Sequence, residues 1–344
     1  MIKPQILYIN SDNWVNFVRE HPSSNIFHCP QWAETIRKSY GLPFYVAAIM
    51  DQNNIICGAP FCISHSLFTG SRIISIPYSD FCQPLDIKDD NKNIQALAEY
   101  FQNIGNMLNI KQIELRWEYG SQTDYKHRTF FYRHFIPLKK DSRVVYQDFH
   151  RTQRQNIQSA IKHEVKVEMA NTIEALRAFY SLHCLTRRRL GMPVQPWKFF
   201  SVLHQEILSK NLGFILSAYK SGICLAAGLF LIGKKTLTYK YAAANNFGQQ
   251  YRANHLIMWI AIQWGCNHGF NQLDLGRCDL GNEGLRTFKL RFGAIELPLA
   301  YSYCGIVPKN QFSSNRENWI KYILRSSPLV INRLTGTLFY PFVT

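Results

Sequence analysis

Asp274, Lys289 and the residues between them have the types and spacing of a reaction centre. Leu273 and Leu275 flank Asp274 with strand alternation in the stretch GCNHGFNQLDLGRCDLGNEGLRTFKLRFGA, which runs from Gly265 to Ala294. One face of that strand is therefore apolar and the carboxylate points the other way. Gly276 lets the backbone turn, and Gly281 and Gly284 predict a loop that approaches a ligand closely. A short helix follows, carrying Phe288, Lys289 and Arg291. A carboxylate so placed can accept a proton from a nucleophile, and an ammonium can stabilise negative charge growing on an oxygen. Each also has a plain structural use, Lys289 as a surface residue of its helix and Asp274 as a cap for the loop.

The elements that must position these residues can be read along the second half. A strand with Val165, Val167 and Met169 alternating leads into a helix from Thr172, with Ile173, Leu176, Phe179, Tyr180 and Cys184 at helical spacing. Asn171 with Glu174 reads as an Asn version of a capping box. Another helix starts near Trp197. Strands over Gly213–Tyr219, Ile223–Ile232 and Thr236–Ala244 are joined by Lys220-Ser221-Gly222 and Gly233-Lys234-Lys235, which are hairpin signals. A helix over Asn254–His268, a strand over Asn271–Gly276, the Lys289 helix and a strand over Ile295–Cys304 complete the order. This is mixed α/β, an antiparallel meander joined to a parallel crossover.

The first half echoes that order. Helices near Asp12–Glu20 and Pro30–Tyr40 precede strands at Phe44–Met50, Ile55–His65 and Arg72–Ile76, then a helix over Asn91–Leu108 and a strand over Gln112–Arg116. IELRW at Ile113–Trp117 and LDLGR at Leu273–Arg277 fall in corresponding places, which predicts a duplication. The expected division is an N-terminal domain over 1–147, a C-terminal domain over 148–308 and a tail over 309–344, with polar Lys139–Asp148 as connector. The second domain opens on HRTQRQNIQSAIKH, a basic helix with Phe149, Ile157, Ala160 and Ile161 inward and Arg151, Arg154 and Lys162 outward. That outer face is either solvated or anion-binding.

With 344 residues, 47% of them hydrophobic, the chain can fill two ordinary cores. Thirty-nine Lys and Arg against 23 Asp and Glu give a formal charge of +16. Such a surface suits nucleic acid, an anionic membrane or phosphorylated substrates, or it is simply solvated. Nine cysteines without any C-x-x-C read as reduced core thiols of a cytosolic protein. Cys266, His268 and Cys278 match no zinc spacing, and the histidines form no H-E-x-x-H. G-x-S-x-G, P-loop and Rossmann glycine patterns do not occur. The first residues, MIKPQILYINSDNW, lack a basic stretch followed by a sustained apolar run, so neither a secretory signal nor a membrane span is expected.

The order of elements resembles the GNAT acyltransferase fold. The duplication and the segment GLRTFKLRFGA resemble the Fem family, the aminoacyltransferases that build peptidoglycan cross-bridges, and more closely the Fem-related, GNAT-type proteins encoded with exopolysaccharide and cell-envelope genes. The resemblance runs from Ile26 to Tyr303 and is most specific at FHCPQWAETIRKSYG, at RRRLGMP over Arg187–Pro193 followed by Phe199 and Phe200, and at LDLGR through GLRTFKLRFGA.

The resemblance implies tandem GNAT-like domains of mixed α/β (α+β) sheets. It also implies an acyl- or aminoacyltransferase acting by direct transfer on an amine of a phosphorylated or lipid-linked envelope or polysaccharide precursor. In Fem enzymes the lysine of the corresponding F-K pair lies at the reaction centre, where it is implicated in stabilising the carbonyl oxygen; Lys289, after Phe288, matches it. Asp274 matches the family's strand-end aspartate and is expected, with Glu283 or water as alternatives, to take the proton that the amine must lose. A positioned cation lowers the barrier to a tetrahedral oxyanion by a few kcal/mol. Arg252 and Arg291 are expected to hold phosphate, with Arg277, Phe288, Tyr241 and Arg189 as further substrate contacts. In GNAT-like folds the third meander strand borders the acyl-donor cleft, so Tyr239 and Tyr241, or else Lys240, line it according to register.

Two departures stand out. GNAT enzymes that use acetyl-CoA carry a Q/R-x-x-G-x-G/A turn before the central helix, where backbone N–H groups hold pyrophosphate. Here the place reads NNFGQQYRANHLI, keeping Gln249, Gln250 and Arg252 but with Ala253 and Asn254 instead of glycines. Arg252 and Asn254 remain the candidates for a cofactor phosphate. No tightly bound cofactor and no metal is expected, the co-substrate being acyl-CoA or aminoacyl-tRNA. No sustained heptads mark the helical arm of staphylococcal-type Fem enzymes, so tRNA contact through such an arm is unsupported.

From Asn318 to Phe342, Trp319, Ile320, Ile323, Leu324, Val330, Ile331, Leu334, Leu338 and Phe339 interleave with Lys321, Arg325 and Arg333, and Pro328 splits the segment into two short helices. Basic amphipathic helices of this kind either contact a membrane interface or pack on the parent domain. The location implied is cytoplasmic, or peripheral at the inner membrane face. Two rival readings are an acetyl-CoA-dependent N-acetyltransferase and a non-catalytic basic protein for nucleic acid or assembly.

Overall fold

A computed structural model of the chain describes residues 2–66, 70–88, 91–117, 125–307 and 315–342. In chain order the first elements are β1 (Ile2–Tyr8), α1 (Asp12–Glu20), α2 (Pro30–Tyr40), β2 (Phe44–Asp51), β3 (Asn54–Ser66), β4 (Gly70–Ile74), β5 (Leu85–Asp86), α3 (Asn91–Met107), β6 (Gln112–Leu115) and β7 (Lys126–Pro137). After them come α4 (Ser142–Gln147), α5 (Arg151–Lys162), β8 (Lys166–Ala170), α6 (Ile173–Leu190), α7 (Trp197–Glu206), β9 (Gly213–Lys220), β10 (Ile223–Ile232), β11 (Thr236–Ala244), α8 (Asn246–Gln250) and α9 (Ala253–Asn267). The last are β12 (Gln272–Asp279), α10 (Glu283–Leu290), β13 (Ile295–Cys304), α11 (Asn315–Ser326) and α12 (Leu329–Phe339). The chain forms two compact units, one of 1–132, 298–311 and 341–344, the other of 133–297 and 312–340.

Both units follow one plan. In the first, β1 through β4 pair antiparallel in succession, and β4 then pairs parallel with β6 from Arg72↔Gln112 to Ile74↔Glu114. In the second, β8 through β11 do the same, and β11 pairs parallel with β12 from Thr236↔Gln272 to Thr238↔Asp274. Two helices separate the first and second strands of each meander, and α3 or α9 makes the crossover to the parallel strand. The acid expected to correspond between halves closes the parallel ladder in both, Glu114 in one and Asp274 in the other.

Each unit has its own core. Phe61, Leu97, Phe101, Ile104 and Trp117 fill the first, between α3 and the strands. Phe214, Phe230, Leu237, Ile257, Met258, Ile262 and Leu273 fill the second. Helix α9 is apolar on nearly every side, as a helix between a sheet and α5 must be.

Several sequence expectations change. Strand β1 is mostly exposed and so carries little apolar alternation, while β7, KHRTFFYRHFIP, mixes charged and aromatic residues; neither was expected. Lys139–Asp148, read as a connector, contains α4, capped by the Asp141 side chain. The cap of α6 is Thr172 rather than Asn171: its hydroxyl accepts from the Ala175 N–H at 3.3 Å, and the Asn171 amide instead donates to Leu208 O and Asn211 Oδ1. Ile161 is half exposed, and Gln153 takes the inward place on α5, its amide donating to Phe288 O at 3.2 Å. Strand β12 continues past Gly276, which has φ +67°, and the Asn282 side chain caps α10 so early that Gly284 is helical. The loop between them is only Leu280–Asn282.

The tail helices belong to the second unit and dock on α6 through small and polar residues. Asn332 is fully buried, its carbonyl accepting from the Val194 N–H and its amide donating to Leu324 O. Gly336 lies against Val194 so closely that a Cβ would collide with the Val194 carbonyl oxygen. Gly336→Ala is accordingly expected to destabilise the protein by about 1–3 kcal/mol in denaturant titration, the usual cost of overpacking. An unchanged midpoint would show that α12 is not seated there.

Candidate functional site

The parallel ladder of the second unit is short, and its end builds the site. Pairing of β11 with β12 stops at Thr238↔Asp274, although β11 runs on to Ala244 and β12 to Asp279. Just past the last pair, β11 carries a bulge, since Leu229 pairs Tyr241 and Phe230 pairs Tyr239 with Lys240 between them. A bulge adds a residue and bends the strand. On β12, Gly276 adopts its positive φ at the matching level. The two strands therefore part beyond Asp274, and crevices at the carboxyl ends of parallel strands are where α/β sheets bind ligands.

The bulge overturns strict alternation. Tyr239 stacks on Phe230 in the core beneath α9, its hydroxyl pKa raised by burial. Tyr241 faces the other side among Phe179, His183, Phe199 and Phe200, donating its hydroxyl hydrogen bond to Gln195 Oε1 at 2.9 Å.

Lys289 is not a surface residue. It is 4% exposed, and its Nζ donates to Gly276 O at 3.0 Å and to Arg277 O at 2.9 Å. Asp274 is held through both oxygens, Oδ2 accepting from Arg133 at 3.1 Å and Oδ1 from the Gly276 N–H at 2.8 Å. Carboxylate and ammonium thus grip the same turn of β12 from its two ends. Beside them, Arg286 donates to both oxygens of Glu296, at 2.8 and 2.9 Å, and the fully buried His134 shares Glu296 Oε2 at 2.9 Å. Arg286 holds the Glu296 carboxyl below the usual range, followed by His134. His134 is depressed chiefly by burial and then by the Lys289 charge. His134 is therefore neutral near pH 7, and Lys289, Arg286 and Arg133 stand against Asp274, Glu296 and Glu283, which also pairs with Arg286 at 3.4 Å.

A second set of groups lies where α9 and α10 begin. Gln153, Asn156, His255, Glu283, Gly284, Thr287, Phe288 and Arg291 line a concavity of about 430 Å³. Phe288 and Arg291, both candidates from the sequence, line it together. The His255 ring lies against Phe288, and its Nε2 is 3.2 Å from Asn156 Nδ2. Arg252 precedes α9 in the left-handed region at φ 57° and makes no side-chain cap bond, and Asn254 Oδ1 is buried without a partner. Arg277 is half-buried on β12 and meets Lys289 through its carbonyl. Arg189 ends α6 and does not line this concavity.

Sequence reasoning missed Arg133, His134, Arg286, Glu296 and His255. The signal available was YRHF on β7, where alternation sends Arg133 and His134 to opposite faces, but no pattern along the chain links them to Asp274 or Glu296.

One other cluster has the types of a nucleophilic site. Cys82 Sγ is 3.1 Å from His28 Nε2, with Asn25 adjacent. Burial pushes the thiol well up and the imidazole down to about 4, so neither ion of a reactive thiolate–imidazolium pair is favoured. His28 and Asn25 instead cap the short turn at Ile26–His28, and Trp14 donates to the His28 carbonyl. The FHCP motif is thus a packing device.

Residues 147–290 match the family described as acetyltransferase (GNAT) domain. Among solved structures, the crystal structure of FemX superposes with a TM-score of 0.70 at 15% identity, covering 89% of this chain and 98% of that one. The C-terminal domain of a putative lysylphosphatidylglycerol synthetase from Agrobacterium fabrum gives 0.56 at 11% identity, covering 86% and 91%. A tandem GNAT protein from the clavulanic acid biosynthesis pathway gives 0.53 at 7% identity, covering 90% and 100%. No curated protein matches the chain by sequence. The fold is thus that of two tandem GNAT-like units with the architecture of FemX, and the second of them contains the matched acetyltransferase segment.

His255 makes the site sensitive to acid. Burial first, and then Arg252, lower its pKa from 6.5 to about 4. The unfolded chain therefore takes up a proton near 6.5 that the folded one refuses, so stability is full above that pH and falls as pH drops toward about 4. Urea titrations across this window should show a shallower decline for His255→Gln than for the parent. Identical slopes would show that His255 titrates normally.

Proposed function

We propose that the second unit transfers an acyl or aminoacyl group directly to an amine of a phosphorylated or lipid-linked envelope precursor. The observation that carries this reading is the buried Lys289 ammonium, fixed on the Gly276 and Arg277 carbonyls where the strands part beyond Asp274. Attack of a neutral amine on the donor carbonyl makes a tetrahedral oxyanion. Lys289 stabilises that charge without having to move, which is what makes a preorganised cation effective. Asp274, oriented by Arg133 and the Gly276 N–H, takes the proton that the nitrogen sheds. Collapse expels the donor's leaving group, with no covalent enzyme intermediate.

The uncapped start of α9 suits a donor that carries phosphate, acyl-CoA or aminoacyl-tRNA, because free N–H groups at a helix N-terminus favour anions. Arg252 and Asn254 stand there, while Arg291 and Phe288 line the neighbouring concavity for the acceptor. The fold neighbours FemX and the putative lysylphosphatidylglycerol synthetase support an envelope acceptor. The acceptor can be found by mass spectrometry of envelope precursors from cells with and without the protein, and calorimetry with acetyl-CoA separates that donor from aminoacyl-tRNA.

With the substrate in hand, Lys289→Ala is expected to lower kcat by roughly 10²–10³ with a smaller change in KM, the scale seen when an oxyanion partner is removed. Asp274→Asn should also lower kcat and alter the acid limb of the pH–rate profile. Unchanged turnover of a folded Lys289→Ala variant would end the assignment.

A further inference from the structure

The tail helices carry their apolar side chains outward. On α12, Val330, Leu334 and Leu338 recur every four residues and are 64%, 59% and 67% exposed, with Ile331 and Phe339 beside them, while the residues turned inward are Asn332 and Gly336. On α11, Trp319 is 64% exposed and Tyr322, Ile320 and Ile323 accompany it, with Leu324 turned in. This inverts the amphipathic rule for helices on a globular protein, in which the apolar stripe faces the core. The inward contacts are specific ones, Asn332 to Val194 and Leu324, Gly336 against Val194, Lys321 backbone against Gly191, and Arg187 to the Tyr340 hydroxyl. The orientation is therefore fixed, and the outward face is what docking leaves over. So large a contiguous apolar surface marks an interaction site.

Charge identifies the occupant. From Asn318 to Thr344 there is no Asp or Glu, and the charged residues are Lys321, Arg325 and Arg333. Among the described residues no helix is long and apolar enough to cross a membrane. Short helices with Trp, Tyr, Leu and Ile on one side and a net basic charge, Arg316, Lys321, Arg325 and Arg333 against the single acid Glu317, suit the plane of an anionic bilayer, where aromatic rings sit at headgroup level. Each basic residue near such a surface adds attraction, and the +16 of the whole chain has the same sign.

We infer that α11 and α12 form a monotopic membrane-docking face, inserting Trp319, Ile323, Val330, Leu334 and Leu338 into the headgroup–acyl boundary of an anionic bilayer. The inference does not depend on the acyl-transfer reading, and its test needs no substrate. The full chain should float with vesicles of phosphatidylcholine plus phosphatidylglycerol, bind weakly to phosphatidylcholine alone, and lose binding as salt rises. Leu334→Asp combined with Leu338→Asp should lower the partition coefficient about tenfold or more with an unchanged unfolding midpoint. Lys321→Gln with Arg325→Gln, which leaves the apolar face intact, should lower it only on the anionic vesicles. Quenching by brominated lipid should fall in Trp319→Phe. No flotation with anionic vesicles at low salt would overturn the inference. So would a dimer in sedimentation that the paired leucine substitutions dissociate while vesicles fail to bind, since the face would then cover a second copy of the chain.

Discussion

The early end of the β11–β12 ladder is the constraint on which the site depends. Two parallel strands that part leave backbone carbonyls without their sheet partners, and a buried carbonyl left unbonded is costly. On β12 the carbonyls at Gly276 and Arg277 are answered by the Lys289 ammonium. The Gly276 N–H is answered by Asp274. The opening and the charges that line it are thus one structure. An ammonium is taken out of water, which is unfavourable unless it is well bonded, and the carbonyls that bond it exist because the strands diverge. The Lys289 nitrogen is the structural clamp of this turn, and on the proposed reading the same nitrogen meets the oxyanion, so a structural use of Lys289 and a catalytic one are compatible.

The first unit shows what the plan looks like without a site. Glu114 occupies the register position of Asp274, but Arg116, just past the end of β6, pairs with it at 3.0 Å and donates to the Ile76 and Ser79 carbonyls. Arg116 is nearly buried and Trp117 follows it into the core. The space that a ligand would need is filled by protein donors. With the Cys82–His28 pair also buried, the first unit keeps the fold and the acid, but among its described residues no lysine is buried as Lys289 is. Duplication followed by closure of one copy accounts for why IELRW and LDLGR align in place and differ in surroundings.

Much of this was legible along the chain because it is local. Meander strands, the α9 crossover and the Lys289 helix follow from alternation, hairpin glycines and helical spacing, and Leu273-Asp274-Leu275 placed the acid on its strand, although β12 runs on to Asp279 and only its pairing with β11 ends at Asp274. Features that depend on contacts far apart in sequence were not legible. The bulge at Lys240 is set by pairing with β10, and it alone sends Tyr239 and Tyr241 to opposite faces. Of the charges around Lys289, Arg286 and Glu296 are near it in sequence, but Arg133 and His134 come from β7, more than a hundred positions from their partners Asp274 and Glu296, so no window contains the whole set. Strand β7 escaped notice because its residues serve this network as well as packing, which spoils the pattern by which strands are recognised. In the tail the two short helices split at Pro328 were legible, but which residues turn inward, Asn332 and Gly336, is set by contact with Val194 and not by the apolar spacing.

The electrostatic balance bears on the order of steps. Lys289, Arg286 and Arg133 stand with three carboxylates, Asp274, Glu296 and Glu283, and His134 adds nothing because burial and the Lys289 charge keep it neutral. The Lys289 ammonium itself is bonded to the neutral carbonyls of Gly276 and Arg277, so it favours an anion beside it, whether a donor's phosphate or an oxyanion, and disfavours a second ammonium. An acceptor amine entering protonated would meet that field as a repulsion, and the same field lowers its pKa. On the proposed reading the amine therefore arrives neutral, and Asp274, at the last paired residue before the strands part, takes the proton that the nitrogen sheds on attack. A cationic His134 would make an amine harder still to admit, so its burial against Glu296 is consistent with that order of steps.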